Sequence, residues 1–450
     1  MKRFTSIIFA LFLLCPVFSA YNSWNVPDSS EIRKTLTEKW FDAPLINVRL
    51  NQPEIISNPA GEKFQVSLEE TDTTYSVIVS SSTFTSYKFI SASKIEYSEK
   101  EAFTGTCKGS WVLIKNKAND KPLCIRYYCT SNSEAFVQFS PKGKTSTADL
   151  IIFNNYAARG VATGVPFEKF YTASFDEVLK LTQKSIPWNY IDVKDKIYDN
   201  IHSMAAVINQ KCPLITYTDD VMYDENNNLI KITTGEKIPM DAKSDRLYLS
   251  SAGFVKWIAD GIVKPITGTQ LNRSSLITET VKVNETSWQG KFSRRYPLYF
   301  SLDWVRNLSS KIISVYTGKN YNFKNSGVDV TRNLFSAINT SDGIKSQVTF
   351  IENTGYSVSS LKSLLYVLAA TESGSFYFAA IRETDRTVSP EIKVFNDCAV
   401  FFPYFDEKGV FGCYVFINGK PTALVDFILY YSQDFVYLTR VRASERFYPE

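Results

Sequence analysis

Alternation of apolar and polar residues dominates the first third of the chain. Residues 64–68 (Phe-Gln-Val-Ser-Leu), 75–79 (Tyr-Ser-Val-Ile-Val) and 135–139 (Ala-Phe-Val-Gln-Phe) follow the period of two that turns one set of side chains toward a core. Asn58-Pro59-Ala60-Gly61 and Ser140-Pro141-Lys142-Gly143 supply the turns between such strands. The pattern predicts a β-rich domain over residues 45–153, folded as a sandwich or small barrel. A lead-in over residues 20–44 precedes it, with residues 31–36 as a short polar helix or an extended arm.

Helical spacing takes over after Asn155. Ser174 reads as an N-cap followed by Asp176 and Glu177 in a first turn, where carboxylates favour the positive end of the helix. Ile197, Ile201, Met204, Ala205 and Ile208 recur on one helical face, and Pro213 bounds that segment. A turn is expected at residues 223–228, a second helix of mixed polarity at 358–369, and strands at 376–381, 399–404, 410–417 and 434–441. Residues 154–450 therefore read as an α+β domain, with the change of period between residues 153 and 174 as its boundary.

Composition and charge add location and exclude some partners. Lys2 and Arg3, an apolar stretch over residues 7–14, and Val17 and Ser19 at the −3 and −1 positions predict a signal peptide over residues 1–19 and export to the periplasm or beyond. Lipid attachment through Cys15 is the alternative fate of that segment. No other apolar stretch has the length of a transmembrane helix. Lys plus Arg number 50 and Asp plus Glu 46, interspersed, which gives no electrostatic footprint for nucleic acid. The 26 Tyr and 32 Phe fit β-sheet cores, with a sugar-stacking surface as the alternative use.

Cysteine spacing matches no zinc or haem pattern, and with one histidine in the chain no metal or other cofactor is expected. Cys107 with Cys124 or Cys129 is the most plausible disulfide, all three lying in the β-rich region. A hairpin turning at residues 406–409 would set Phe405 opposite Val410 and Cys413 opposite Phe402, leaving Cys398 about 13 Å up the ladder, too far to bond Cys413. Asp219-Asp220 and Glu383 with Asp385 are carboxylate pairs that nothing in the sequence brings together. Acceptor sequences for N-glycosylation at Asn272, Asn284, Asn307 and Asn339 are no more than chance supplies.

The segment carrying the most chemistry is Ser250-Ser251-Ala252-Gly253-Phe254, followed by Val255, Ile258 and Ala259 at helical spacing. A Ser N-cap starts a helix whose free amide groups would activate a nucleophile, and Gly253 admits close approach of another backbone. The segment resembles the first motif, Asp-Cys-Ser-Gly-Phe, of the NlpC-type cell-wall endopeptidases, papain-like cysteine peptidases, with Ser251 in place of the cysteine. The resemblance covers residues from about 155 onward. It implies a papain-like α+β domain in which an antiparallel strand, residues 395–402, carries the catalytic histidine. At that position stands Asp397, or Cys398 if the alignment slips by one. His202, the lone imidazole, precedes Ser251 and could serve only a permuted site. Lacking thiol and imidazole, the site is expected to be non-catalytic. The resemblance implies an exported cell-envelope protein that binds a peptidoglycan-type or protein partner. The alternatives are an active cell-wall amidase or peptidase with a rearranged site, and an exported structural or interaction protein unrelated to that family.

Overall fold

A computed structural model describes residues 24–90, 95–194, 197–239, 245–283, 286, 298–333 and 350–450. The expected signal peptide with Cys15, and the acceptor sequences at Asn284 and Asn339, lie outside the described residues.

The period-two segments form strands β1 (Glu54–Ser57), β2 (Lys63–Glu70) and β3 (Thr74–Ser81), a separate hairpin of β4 (Thr83–Ile90) and β5 (Ile95–Ala102), then β6 (Trp111–Asn116), β7 (Pro122–Tyr127), β8 (Ala135–Lys142), β9 (Thr145–Ile152) and β10 (Asn155–Ala162). All but the hairpin make one antiparallel meander in the order β1-β2-β3-β6-β7-β8-β9-β10, with β1 and β10 as its edges. The sequence predicts a sandwich or small barrel. In the structure, helices rather than a second sheet cover the apolar face. Helix α1 (Ser30–Leu36) is capped by Ser29, whose hydroxyl accepts from Ile32 N, and runs into a wider turn over Thr37–Phe41 that buries Trp40 and Phe41 completely. Phe41 packs on Trp111 at 4.7 Å, and Phe170 stacks on Phe139 at 3.9 Å. Helix α2 (Phe175–Thr182) begins at Ser174 with the predicted cap, completed by Glu177 as a capping box. Segments from both sides of the strands are thus fastened to the sheet: the Trp111 indole and the Tyr127 hydroxyl both donate to Phe170 O, and the buried Arg33 bonds Asp28 and Ala173 O.

Helix α3 (Asp199–Lys211) buries Ile201, Met204, Ala205 and Ile208, as the spacing predicts. Ile197 falls outside it, before the Tyr198 cap, and is 38% exposed. Short pairs follow, β11 (Ile215–Tyr217) parallel to β14 (Leu247–Leu249), and β12 (Val221–Tyr223) antiparallel to β13 (Leu229–Lys231). The main C-terminal sheet is antiparallel and holds β15 (Tyr356–Ser357), β16 (Ser375–Asp385), β17 (Ile392–Phe405), β18 (Phe411–Ile417), β19 (Lys420–Thr422) and β20 (Phe435–Arg442) in the order β15-β20-β16-β17-β18-β19. Helices α4 (Ser251–Thr267) and α5 (Phe300–Thr317) pack together, and both touch β17. Thr439 of β20 points to α5, bonding Ser309 and Val305 O. Its sequence neighbour Arg440 points the other way and joins Tyr377 on Glu372, just beyond α6 (Leu361–Thr371). The sheet lies between these two helical layers, an α+β architecture.

Three details differ from expectation. In α6 only Lys362 and Thr371 escape burial, because the helix is wedged between the two sheets. Its Tyr366 packs edge-on to Phe153 and Phe405, and its Ser363 hydroxyl donates to Ile152 O and accepts from Asn155. The C-terminal hairpin pairs Phe405 with Phe411 and Cys413 with Pro403, one residue from the predicted register. Val410 belongs to the turn, its N–H held by the Asp406 carboxylate at 2.8 Å. Finally, all six described cysteines are free thiols. Cys107 hydrogen-bonds Ser81 and Ser110 instead of bonding Cys124 or Cys129. Most buried apolar residues form one cluster that runs from Val26 to Ala443, and Ile78, Val112 and Tyr128 form a small second one.

Candidate functional site

Leu249 ends β14, and the next residue turns the chain into a helix. The Ser250 hydroxyl accepts from Gly253 N at 3.1 Å and donates to Val221 O at 3.0 Å, so the cap also ties α4 to β12. Gly253 lies against that same strand. A Cβ there would be built into the Val221 carbonyl oxygen, which explains the glycine inside a helix. Ser251 is the first residue of α4 and is 5% exposed. Its hydroxyl donates to Asp397 Oδ1 at 2.9 Å.

Asp397 stands beside an irregularity in β17. The ladder pairs Ile381 with Asp397 and Arg382 with Phe395, leaving Asn396 as an extra residue whose amide donates to Glu383. Such bulges bend a strand and re-aim its side chains. Cys398, the alternative position, pairs with Ala380 and is fully buried, and that burial pushes its thiol well above the usual range. A buried neutral thiol is inert. His202 is elsewhere: its Nδ1 meets the Tyr414 hydroxyl at 3.1 Å and its ring packs on Tyr404 at 4.6 Å. From Asp397 to Tyr404 along β17 is about 23 Å, so the structure brings together Ser251 and Asp397 but not His202.

Further groups collect around that pair from segments far apart in the chain. Thr218 N bonds Leu249 O, which carries Tyr217 and Asp219 to the start of α4. Burial raises the Asp397 carboxyl, with a further push from Asp219. Glu383 is likewise raised by burial and then by Asp397. Burial and these same carboxylates raise the Tyr217 and Tyr431 hydroxyls. Among the described residues, no lysine or arginine forms an ion pair with Asp219, Glu383 or Asp397. Asp220 and Asp385, their sequence neighbours, serve turns, accepting from Thr233 and Thr387. Among the described residues no group of His, Cys, Asp and Glu is arranged to hold a metal ion, and no helix is long and apolar enough to cross a membrane.

The raised Asp397 carboxyl has a measurable consequence. A carboxyl that holds its proton longer in the folded state contributes stability that is full below its unfolded pKa and lost as pH rises through the higher folded value. Asp397→Asn removes that loss while leaving the Ser251 hydroxyl an acceptor. Thermal melts at acidic and neutral pH are expected to show a smaller fall in Tm for Asp397→Asn than for the natural protein, with the variant the more stable at neutral pH. An unchanged slope would mean that Asp397 is as well solvated as a free side chain.

Chemically, the site offers a helix N-terminus, a hydroxyl and carboxylates within electrostatic reach of one another, and His202 and Cys398 do not enter it. Asp397, its pKa raised by burial, is the carboxylate to which the Ser251 hydroxyl donates, and a serine hydroxyl is a far poorer nucleophile than a thiol. Carboxylates without an ion-paired lysine or arginine among the described residues suit the capture of a positively charged group.

Residues 22–190 match a family model described as a domain of unknown function (DUF8515). No curated protein and no solved structure matches the chain. The matched stretch holds the eight-stranded sheet with the helices fastened to it, and Ser251 and Asp397 lie beyond it.

Proposed function

We propose that the C-terminal half is a papain-like scaffold of the NlpC type whose hydrolytic site has become a binding site, in a protein exported to the bacterial cell envelope. The hydrogen bond from Ser251 to Asp397 carries this reading. The motif assigns those two residues, 146 apart in sequence, to the nucleophile and base positions, and a chance match of five residues gives no reason for them to touch. Their neighbours Glu383, Asp219 and Tyr217 favour retention of a ligand over turnover. The rearranged-enzyme alternative would need His202, which is engaged with Tyr414 and Tyr404.

The ligand in this reading is a peptidoglycan-type or protein partner of the envelope. Purified protein mixed with cell-wall sacculi is expected to sediment with them without releasing soluble fragments. Enlarging Ser251 to Phe should reduce that retention. Equal retention of the natural protein and Ser251→Phe would remove the start of α4 from the binding site.

A further inference from the structure

Helix α7 (Leu424–Tyr430) reads Leu-Val-Asp-Phe-Ile-Leu-Tyr, yet of these residues only Phe427 is buried, against Phe401. Val425 is 61%, Leu429 68% and Tyr430 80% exposed. Positions 425 and 429 share one helical face, and Asp426 and Tyr430 adjoin it. A short helix this apolar is stable in water when a partner covers its open face, and exposed apolar surface of this kind marks interaction sites.

The surface is continuous with the carboxylates. The chain leaving α7 runs to Asp434, which bonds Lys393 of β17 at 2.8 Å, and to Phe435, which pairs with Arg382 next to Glu383, so the end of α7 lies beside the β16–β17 stretch bearing Glu383 and Asp397. Tyr431, directly after α7, is within electrostatic reach of both carboxylates. Strand β19, which leads into α7, touches the turn over Cys212–Leu214, where Leu214 is 43% exposed. The exposed face of α7 therefore ends beside the strand segment that carries Glu383 and Asp397. Lys393 is committed to Asp434 at 2.8 Å.

We infer that this face is the docking surface for a polypeptide segment of a partner protein in which a lysine or arginine is bracketed by large apolar side chains. The cation would sit at Glu383 and Asp397, and the apolar side chains on Val425, Leu429 and Tyr430. Charge complementarity selects this occupant, because an anionic lipid surface would be repelled by the carboxylates. The inference rests on the binding role proposed above and names its partner.

The test uses the full chain and labelled synthetic peptides that alternate Leu with Lys, Leu with Glu, and Ser with Lys, followed by fluorescence anisotropy. The Leu-Lys peptide is expected to bind, the other two to bind at least about tenfold more weakly, a difference of about 1.4 kcal/mol. Leu429→Glu, and separately Glu383→Gln with Asp397→Asn, should each weaken the Leu-Lys peptide by at least about as much. Leu429 is exposed, so its substitution leaves the fold intact, which circular dichroism verifies. Equal binding of the Leu-Glu peptide, or no effect of either variant, overturns the inference. So does sedimentation velocity showing a dimer that Leu429→Glu dissolves, which would assign the face to a second copy, or flotation with vesicles that Leu429→Glu abolishes, which would assign it to lipid. Sacculus retention unaltered by Leu429→Glu leaves the Ser251 site standing whichever way the peptides behave.

Discussion

Replacing Lys256 by Met is expected to cost about 3–5 kcal/mol of folding stability, the range found when one member of a buried ion pair is removed. Lys256 is 1% exposed on α4, nearly two turns beyond the cap, and its ammonium bonds Asp260 at 2.6 Å. The other Asp260 oxygen accepts from Leu271 N at 2.8 Å, which ties the end of α4 to the chain after it. Burial already raises the Asp260 carboxyl, with Lys256 the main opposing influence. Deleting the ammonium therefore leaves a buried charge that must be protonated or hydrated, so the loss should be greatest at neutral pH and shrink as acid neutralises the carboxyl. Lys256→Met combined with Asp260→Asn keeps an acceptor for Leu271 N and should recover most of the loss. Urea unfolding at neutral and acidic pH measures both. A single variant within about 1 kcal/mol of the natural protein, as for a surface pair, would show that water reaches Lys256.

The second large effect belongs to Gly253. Glycine inside a helix ordinarily costs up to about 1 kcal/mol relative to alanine, so Gly253→Ala would be stabilising if only propensity mattered. Here the added methyl meets the Val221 carbonyl oxygen, a backbone atom that also receives the Ser250 hydroxyl and the Ser250 N–H. Overpacking of this kind costs about 1–3 kcal/mol, and it would push the start of α4 away from β12. Gly253→Ala should unfold at lower denaturant and also weaken ligand retention, since Ser251 moves with the cap. A neutral or stabilising substitution would mean that α4 and β12 are not in contact.

What the sequence reveals about this site is limited by how its parts are encoded. The Ser250–Phe254 segment is readable because cap, glycine and amphipathic helix are local features with fixed spacing. The strand bearing Asp397 is readable as an apolar run, though not the bulge at Asn396, which depends on pairing with β16. Tyr217 with Asp219, Glu383 and Tyr431 reach Asp397 from three separate stretches of chain, and no local spacing connects those stretches. Helix α5 escapes prediction for a different reason. It buries Ser301, Arg306, Ser309 and Ser310, and Arg306 is satisfied by Asp329, Asn353 and Tyr437, so its core face does not read as apolar. The N-terminal strands are legible from alternation, whereas the choice of helices over a second sheet depends on Trp40, Phe41 and Phe170, whose apolar character does not reveal what they will pack against.

Amide-bond turnover separates a binding site at Ser251 and Asp397 from a working hydrolase. Purified full-length protein is incubated with peptidoglycan and with short wall peptides, and products are followed by mass spectrometry beside Ser251→Ala, His202→Ala and the double variant Ser251→Cys with Asp397→His. No cleavage is expected from the natural protein or the alanine variants, and at most a trace from the double variant, because nucleophile and base act as a unit. Sustained cleavage by the natural protein that Ser251→Ala or His202→Ala abolishes would contradict that expectation.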